Sequence, residues 1–205
     1  MVLACDGSEP EGGPWRVGVT GGGMRSEIDF GSGRHVAIAE ETLTASLGWH
    51  QNPSFGVDFG IGALIDGKLT SGGVDHDLST GFLATVTGSW LALPEREVRP
   101  FVLVSLTASV ATADTDVARF TALDFRGGLV VGKTFFTRLT TYAALRVFGG
   151  PVSWTIAGDD VTGGDEHHYS VGAGATVRLP GAFDVFFEGS PFGERSLNAG
   201  LGLSF

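Results

Sequence analysis

One cysteine in 205 residues excludes an intramolecular disulfide and any metal centre built from several thiolates. Lysine and arginine are also scarce, 13 against 23 aspartates and glutamates, for a formal charge of -10. With so few cations there is no basic patch to release counterions from phosphates, which argues against nucleic acid as a partner. No apolar run approaches the roughly 18 residues of a membrane-crossing helix, although the mean hydropathy is +0.20. The oil is therefore either gathered in a large soluble core or spread over alternate residues of strands that close on themselves in lipid. Glycine, at 33 residues, is the exception to this scarcity. It weakens helices and suits tight turns and crowded barrel interiors. None of it reads as a phosphate loop, because no helical pattern follows, and no cofactor is implied.

What the chain does have is a period of two. Residues 196–205 (SLNAGLGLSF) place Leu197, Ala199, Leu201, Leu203 and Phe205 on one face, opposite Ser196, Asn198, Gly200, Gly202 and Ser204. That is a strand with one oily face. Nine earlier segments repeat the alternation, among them Leu43 to Trp49, Phe55 to Ala63, Val102 to Val110 and Tyr169 to Leu179. The face opposite the oily one is built of Gly, Ser, Thr and Ala, too small for a solvated exterior and suited to a narrow, filled interior. The expected fold is all-β: a closed antiparallel up-and-down transmembrane barrel of ten strands over residues 15–205, eight being the alternative count. A polar leader is expected over residues 1–14.

The order of Asn198, Gly200, Leu203 and the terminal aromatic Phe205 resembles the closing strand of Gram-negative outer-membrane β-barrels. That resemblance implies residence in the outer membrane, lipid as the surrounding partner, and a signal read by the barrel-assembly machinery. Two regularities agree with it. Compact connections near Asn52, Glu95, Phe136 and Pro180 alternate with longer polar or Gly-rich ones, as short periplasmic turns alternate with external loops when both termini are periplasmic. Trp15, Trp49, Phe55, Trp90, Phe135 and Phe183 fall where strands meet the compact connections, which predicts an aromatic girdle joined by Phe205. Val2 to Cys5 resembles the end of a bacterial lipoprotein signal, so Cys5 is either a lipidation site or a thiol in a polar leader.

On this register Asp58, Asp124, Arg126, Arg146, Arg178, Asp184 and Glu188 face the lumen, with Arg178 directly opposite Asp184. They read as an ion-pair network that fills the barrel, or as the charged constriction of a pore. Ten strands also resemble the omptin proteases, whose acidic and Asp-His pairs lie near the outer rim. The counterparts here, Asp75-His76-Asp77 and Asp165-Glu166-His167-His168, match no protease motif. His168 and Ser170 have the His-x-Ser spacing of outer-membrane lipid A deacylases, but Val171 stands where that family has Asn. No metal-ligand spacing stands out. The expected role is therefore non-enzymatic: a structural or surface-interaction barrel acting through its loops, with an envelope protein as a potential partner. A narrow porin-like channel comes second, and a hydrolase third.

Overall fold

The computed structural model describes residues 13–30, 35–52, 54–115, 119–156 and 159–205. The expected leader, residues 1–14, and Cys5 within it lie almost wholly outside the described residues. Thirteen strands are present among those described: β1 (Trp15–Asp29), β2 (His35–Asn52), β3 (Phe55–Ser71), β4 (Val74–Leu78), β5 (Gly81–Leu93), β6 (Phe101–Asp114), β7 (Arg119–Phe135), β8 (Leu139–Gly149), β9 (Val152–Ile156), β10 (Asp159–Asp165), β11 (Tyr169–Leu179), β12 (Phe183–Gly193) and β13 (Arg195–Ser204). All but β4, β9 and β10 form the wall of a closed, ten-stranded antiparallel barrel. Closure is made by β13 on β1, in register from Arg16 opposite Ser204 to Arg25 opposite Arg195. Trp15 and Phe205 complete the seam with backbone hydrogen bonds of 3.2 and 2.9 Å. Among the described residues the ten-stranded wall therefore has no edge strand left to pair with another chain.

The alternation decides which face is oily, and the oil is outside. Leu106 is 71% exposed and Ile61 64%, while small or polar residues from the same strands fill the lumen. That is the polarity of a barrel in lipid and the reverse of a water-soluble one. The interior is crowded enough to require glycine: a Cβ on Gly174 would lie 2.5 Å from the Tyr142 hydroxyl, and one on Gly200 2.5 Å from the Phe186 ring. Trp15, Trp49, Phe55, Trp90, Phe135, Phe183 and Phe205 are all exposed at the rim that carries the termini and the compact connections. Phe82, Phe125, Tyr169 and Phe192 are exposed towards the opposite, loop rim. Ten residues of β7 separate Phe125 from Phe135, which at ~3.3 Å per residue and a tilt of ~40° makes an apolar belt ~25 Å tall.

At the loop rim the structure departs from the ten simple segments. The polar stretch 66–77, which the membrane alternation leaves as a connection, continues β3 and returns as β4, through a turn in which Gly72 and Gly73 both adopt positive φ (57° and 82°). Leu78 has the spacing of the oily outer face that Phe82 and Ala84 occupy, yet it ends β4 and points inward, 4% exposed. The long connection after β8 is a β9–β10 hairpin. There is a physical reason for its course: β7 runs past the end of β8 and β1 runs past the start of β13, leaving two unpaired edges. β9 takes the first (Phe120 opposite Trp154) and β10 the second (Ile28 opposite Asp165). Above the wall a smaller ring therefore closes through β1, β2, β3, β4, β6, β7, β9 and β10, with β4 joined to β6 by a bridge between Leu78 and Thr115 and by the Ser79 amide donating to the Asp114 carbonyl.

Inside that ring the polarity inverts. Ile28, Val36, Ile38, Leu64, Leu69, Leu78, Ala113, Phe120, Val152 and Trp154 form a buried apolar cluster, a cap over the lumen. A bulge at Ile65, between the pairs Glu41–Asp66 and Thr42–Leu64, turns β3 so that Leu64 and then Leu69 both face inward. Nearer the terminal rim a second cluster, Leu91, Phe101 and Leu103 with Val130 and Tyr142, fills the side of the lumen lined by β5 to β8.

Candidate functional site

Between the two apolar clusters the lumen is polar and paired. Arg16 projects inward from β1, reaches over Gly202 of β13 and meets Asp184 of β12, its Nη2 2.5 Å from Oδ1 and its Nε 3.3 Å from Oδ2. A side chain at Gly202 would overlap the guanidinium, so the glycine is what lets the arginine span an intervening strand. Both partners are buried, at 7% and 9% side-chain exposure. Arg178 does stand opposite Asp184 in the β11–β12 register. It makes no ion pair among the described residues, because Arg16 holds the carboxylate.

A second group lies towards the loop rim. Arg126 of β7 donates two hydrogen bonds to Glu194, at 2.6 and 2.9 Å, and one to Asp124 at 3.0 Å. Its guanidinium carbon also sits 4.5 Å above the Phe148 ring. The fork geometry suits a carboxylate, and the aromatic face accepts the remaining cationic surface. Arg146 donates to Glu188 at 2.8 Å, crossing from β8 to β12 over the intervening β11. Asp58 lies 3.7 Å from His50 Nε2. Beside this last pair a cavity of about 280 Å³ is lined by Arg16, Asp58 and the hydroxyls of Thr20, Thr44, Ser46 and Thr87.

All seven charged residues expected in the lumen are thus inward-facing. Four charged members of the network, Arg16, Glu194, Glu95 and Lys133, were not anticipated, and neither was His50. Arg16 shares its parity with the small residues of β1 and was legible as inward on that ground. Glu194 follows Gly193, whose φ of 72° ends β12 and turns the chain inward; no periodic signal marks it. Glu95, in the compact connection 94–100, accepts from Lys133 Nζ at 3.2 Å and from the Thr134 amide at 3.0 Å, fastening that connection to β7.

The groups that resemble hydrolase residues are dispersed. His76 lies edge-on to Trp154 inside the cap, with ring centroids 5.6 Å apart. Its neighbour Asp75 faces outward, accepting from the Thr70 hydroxyl at 2.7 Å and Lys68 Nζ at 3.1 Å. Those contacts, Thr70 first, hold the Asp75 carboxyl below the ordinary carboxylate range. Glu166 pairs with His35, and His167 stacks edge-on to Tyr169. His168 is exposed while Ser170 is buried, and no hydrogen bond joins them. Among the described residues no group of three or more His, Cys, Asp or Glu side chains is placed to hold a metal.

No protein-family profile and no curated protein matches the sequence. Solved structures do match the fold. An outer-membrane channel from Pseudomonas putida F1 superposes with a TM-score of 0.53 at 10% identity, covering 94% of this chain and 96% of that one. The outer membrane protease OmpT from Escherichia coli gives 0.52 at 10% identity, with coverage of 97% and 98%. The translocator domain of the autotransporter NalP from Neisseria meningitidis gives 0.50 at 12% identity, with coverage of 95% and 89%. Each of these neighbours is a Gram-negative outer-membrane β-barrel.

Proposed function

We propose that this chain, which has the fold of the Gram-negative outer-membrane barrels, is a sealed, non-enzymatic barrel of that membrane whose role is structural or surface-interactive. Its termini and compact turns face the periplasm, and its cap and loops face the exterior. The observation that carries the reading is the cap: seven strands contribute side chains only 1–4% exposed to an apolar cluster above the lumen. Below it most lumen charges pair with one another, several over an intervening strand, an arrangement that fills space and pins strand register. The dispersal of the candidate His, Asp and Ser groups supports a role without catalysis. The exposed hairpins above the belt are the surface open to a partner protein of the envelope.

A narrow channel is the second reading, favoured by the hydroxyl-lined cavity beside Asp58. Single-channel recording in planar bilayers separates the two. The sealed reading expects no conductance from the wild type, and a stable conductance once residues 152–165 are replaced by a short Gly-Ser linker. Ohmic steps from the wild type that change size in Arg146→Ala would establish the channel instead. An epitope inserted between Gly72 and Gly73 should be accessible to antibody on intact cells; labelling only after the outer membrane is breached would reverse the orientation.

A further inference from the structure

We propose that Arg25 and Arg195 form a binding site for the phosphate of a lipid headgroup in the outer leaflet. The site rests on the orientation proposed above. The two arginines are directly opposite each other across the β13–β1 closing seam, and both side chains stand exposed on the outer wall. Directly opposed like charges on one sheet face oppose folding, and natural pairs at such positions are usually of opposite sign. Neither arginine has an ion-pair partner among the described residues. Glu27 and Glu41 occupy the same outer face one register step to either side, yet neither pairs with them. Strand pairing therefore sets two unpaired arginines side by side on one face of the seam, the residue type whose planar fork recognises phosphate bidentately.

Their height selects the source of that phosphate. Towards the terminal rim the outer face continues as Leu197, Ala199 and Leu201 on β13 and as Val19 and Val17 on β1, with Leu197, Leu201, Val19 and Val17 exposed to lipid. Towards the loop rim it becomes polar at Glu27. The arginines thus sit at the upper boundary of the apolar belt, where headgroups begin. They border a cleft of about 410 Å³ that Lys68, His167, Tyr169 and Phe192 also line. Phe192 and Tyr169 are exposed there, so a bound lipid has apolar surface for its chains directly beside the cationic pair. Lys68 is engaged by Asp75 and is a rim contributor at most.

The test is lipid retention by the purified barrel in a neutral detergent, read by native mass spectrometry and by titration. The probes are dioctanoyl phosphatidic acid, dioctanoylglycerol with the same chains and no phosphate, and inorganic phosphate. The wild type should retain phosphatidic acid and not dioctanoylglycerol. Each of Arg25→Gln and Arg195→Gln should weaken retention about tenfold, the loss expected for one charge-assisted contact. Arg119→Gln, at an exposed pair with Asp114, should leave it unchanged. Equal retention of dioctanoylglycerol, or undiminished phosphatidic acid binding by the Arg25→Gln/Arg195→Gln double variant, overturns the site. Inorganic phosphate competing at concentrations similar to the lipid overturns the lipid as its source. The comparison of probes uses only the wild type, so a variant that fails to assemble does not block it. Conductance and epitope exposure are independent readouts: an open pore refutes the sealed barrel and leaves this result standing, while a reversed orientation overturns the outer leaflet as the source of the lipid.

Discussion

The Arg16–Asp184 pair offers a double-mutant test of how the lumen is held. Both side chains are buried, joined by two hydrogen bonds, and served by a glycine that clears the path between them. Arg16→Met strands a buried carboxylate, and Asp184→Leu strands a buried guanidinium. Losing one partner of a buried pair costs about 3–5 kcal/mol, because the survivor keeps its desolvation and loses its compensation. Replacing both partners by apolar residues of similar volume removes both charges, and such replacements are often neutral or stabilising. The Arg16→Met/Asp184→Leu barrel should therefore unfold at nearly the wild-type urea concentration, with a coupling free energy of at least ~3 kcal/mol, well outside the ~0.5 kcal/mol scatter of independent sites. Gly202→Ala supplies the third arm. It should destabilise the wild type by displacing the guanidinium, and cost much less once Arg16 is Met. Urea unfolding of the barrel refolded into phosphocholine vesicles, followed by tryptophan emission and by heat-modifiable gel mobility, reads all six proteins. Additive single effects, or a Gly202→Ala cost that ignores residue 16, would refute the account.

Other sites make distinct demands. Phe136 and Thr137 both hold positive φ (54° and 59°) in the compact turn after β7, so Phe136→Asn with Thr137→Gly should stabilise the barrel by roughly 1–2 kcal/mol; a lower urea midpoint would show that some contact made by Phe136 outweighs backbone strain. Trp154, 2% exposed in the cap, should lose ~3–5 kcal/mol of local stability on truncation to Ala, seen as faster hydrogen exchange in β9 with β2 below the cap unchanged. Burial, with the charges of Asp124 and Glu194, pushes the Asp165 carboxyl up to about 6. Its neutral form is thus the one the folded cap prefers, so its contribution is full below pH ~4 and fades as pH rises through about 6. Exchange protection of β10, corrected for intrinsic exchange, should accordingly fall between about pH 4 and 7 in the wild type, level off above that, and stay level throughout in Asp165→Asn. Phe205→Ala should reduce the yield of assembled barrel in the outer membrane far more than it lowers the stability of barrel refolded from urea; normal membrane levels would detach Phe205 from assembly.

The wall of the barrel was legible because one physical rule governs it from end to end. Every residue between the girdles must choose lipid or lumen, and the choice alternates, so Leu43 to Trp49 or Val102 to Val110 declare both the strand and its outer face. The cap obeys a different rule. Above the lipid the outside is water and the inside is oil, so apolar residues move to the opposite parity: Val36 and Ile38 face inward on the same strand on which Leu43 and Leu47 face outward. A reading tuned to the membrane pattern sees such segments as polar connections, which is why β4, β9, β10 and the upper ends of β1 and β2 went unrecognised. Leu78 shows the error at a single residue: it has the right spacing for the outer face of the next strand, yet it sits across a bend and inside the cap.

The lumen network was legible only as far as parity reaches. Alternation says that Arg146, Asp184 and Glu188 point inward, but which acid an arginine takes depends on what lies between them. Arg178 has the nearer claim on Asp184 by register, yet Arg16 wins because Gly202 has no side chain to block its path and a two-strand reach suits its length. Gly202 is therefore part of the pairing itself: the cation reaches over the glycine, and the strand that carries it is fixed between the two it joins. The Arg146–Glu188 bridge also spans one strand, β11, but there Gly172 and Gly174 make room for Ser190 and Tyr142. Scoring inward arginines against acids two strands away, wherever the middle strand offers glycine, would have ranked the Arg16–Asp184 pair above Arg178–Asp184 from the sequence and register alone.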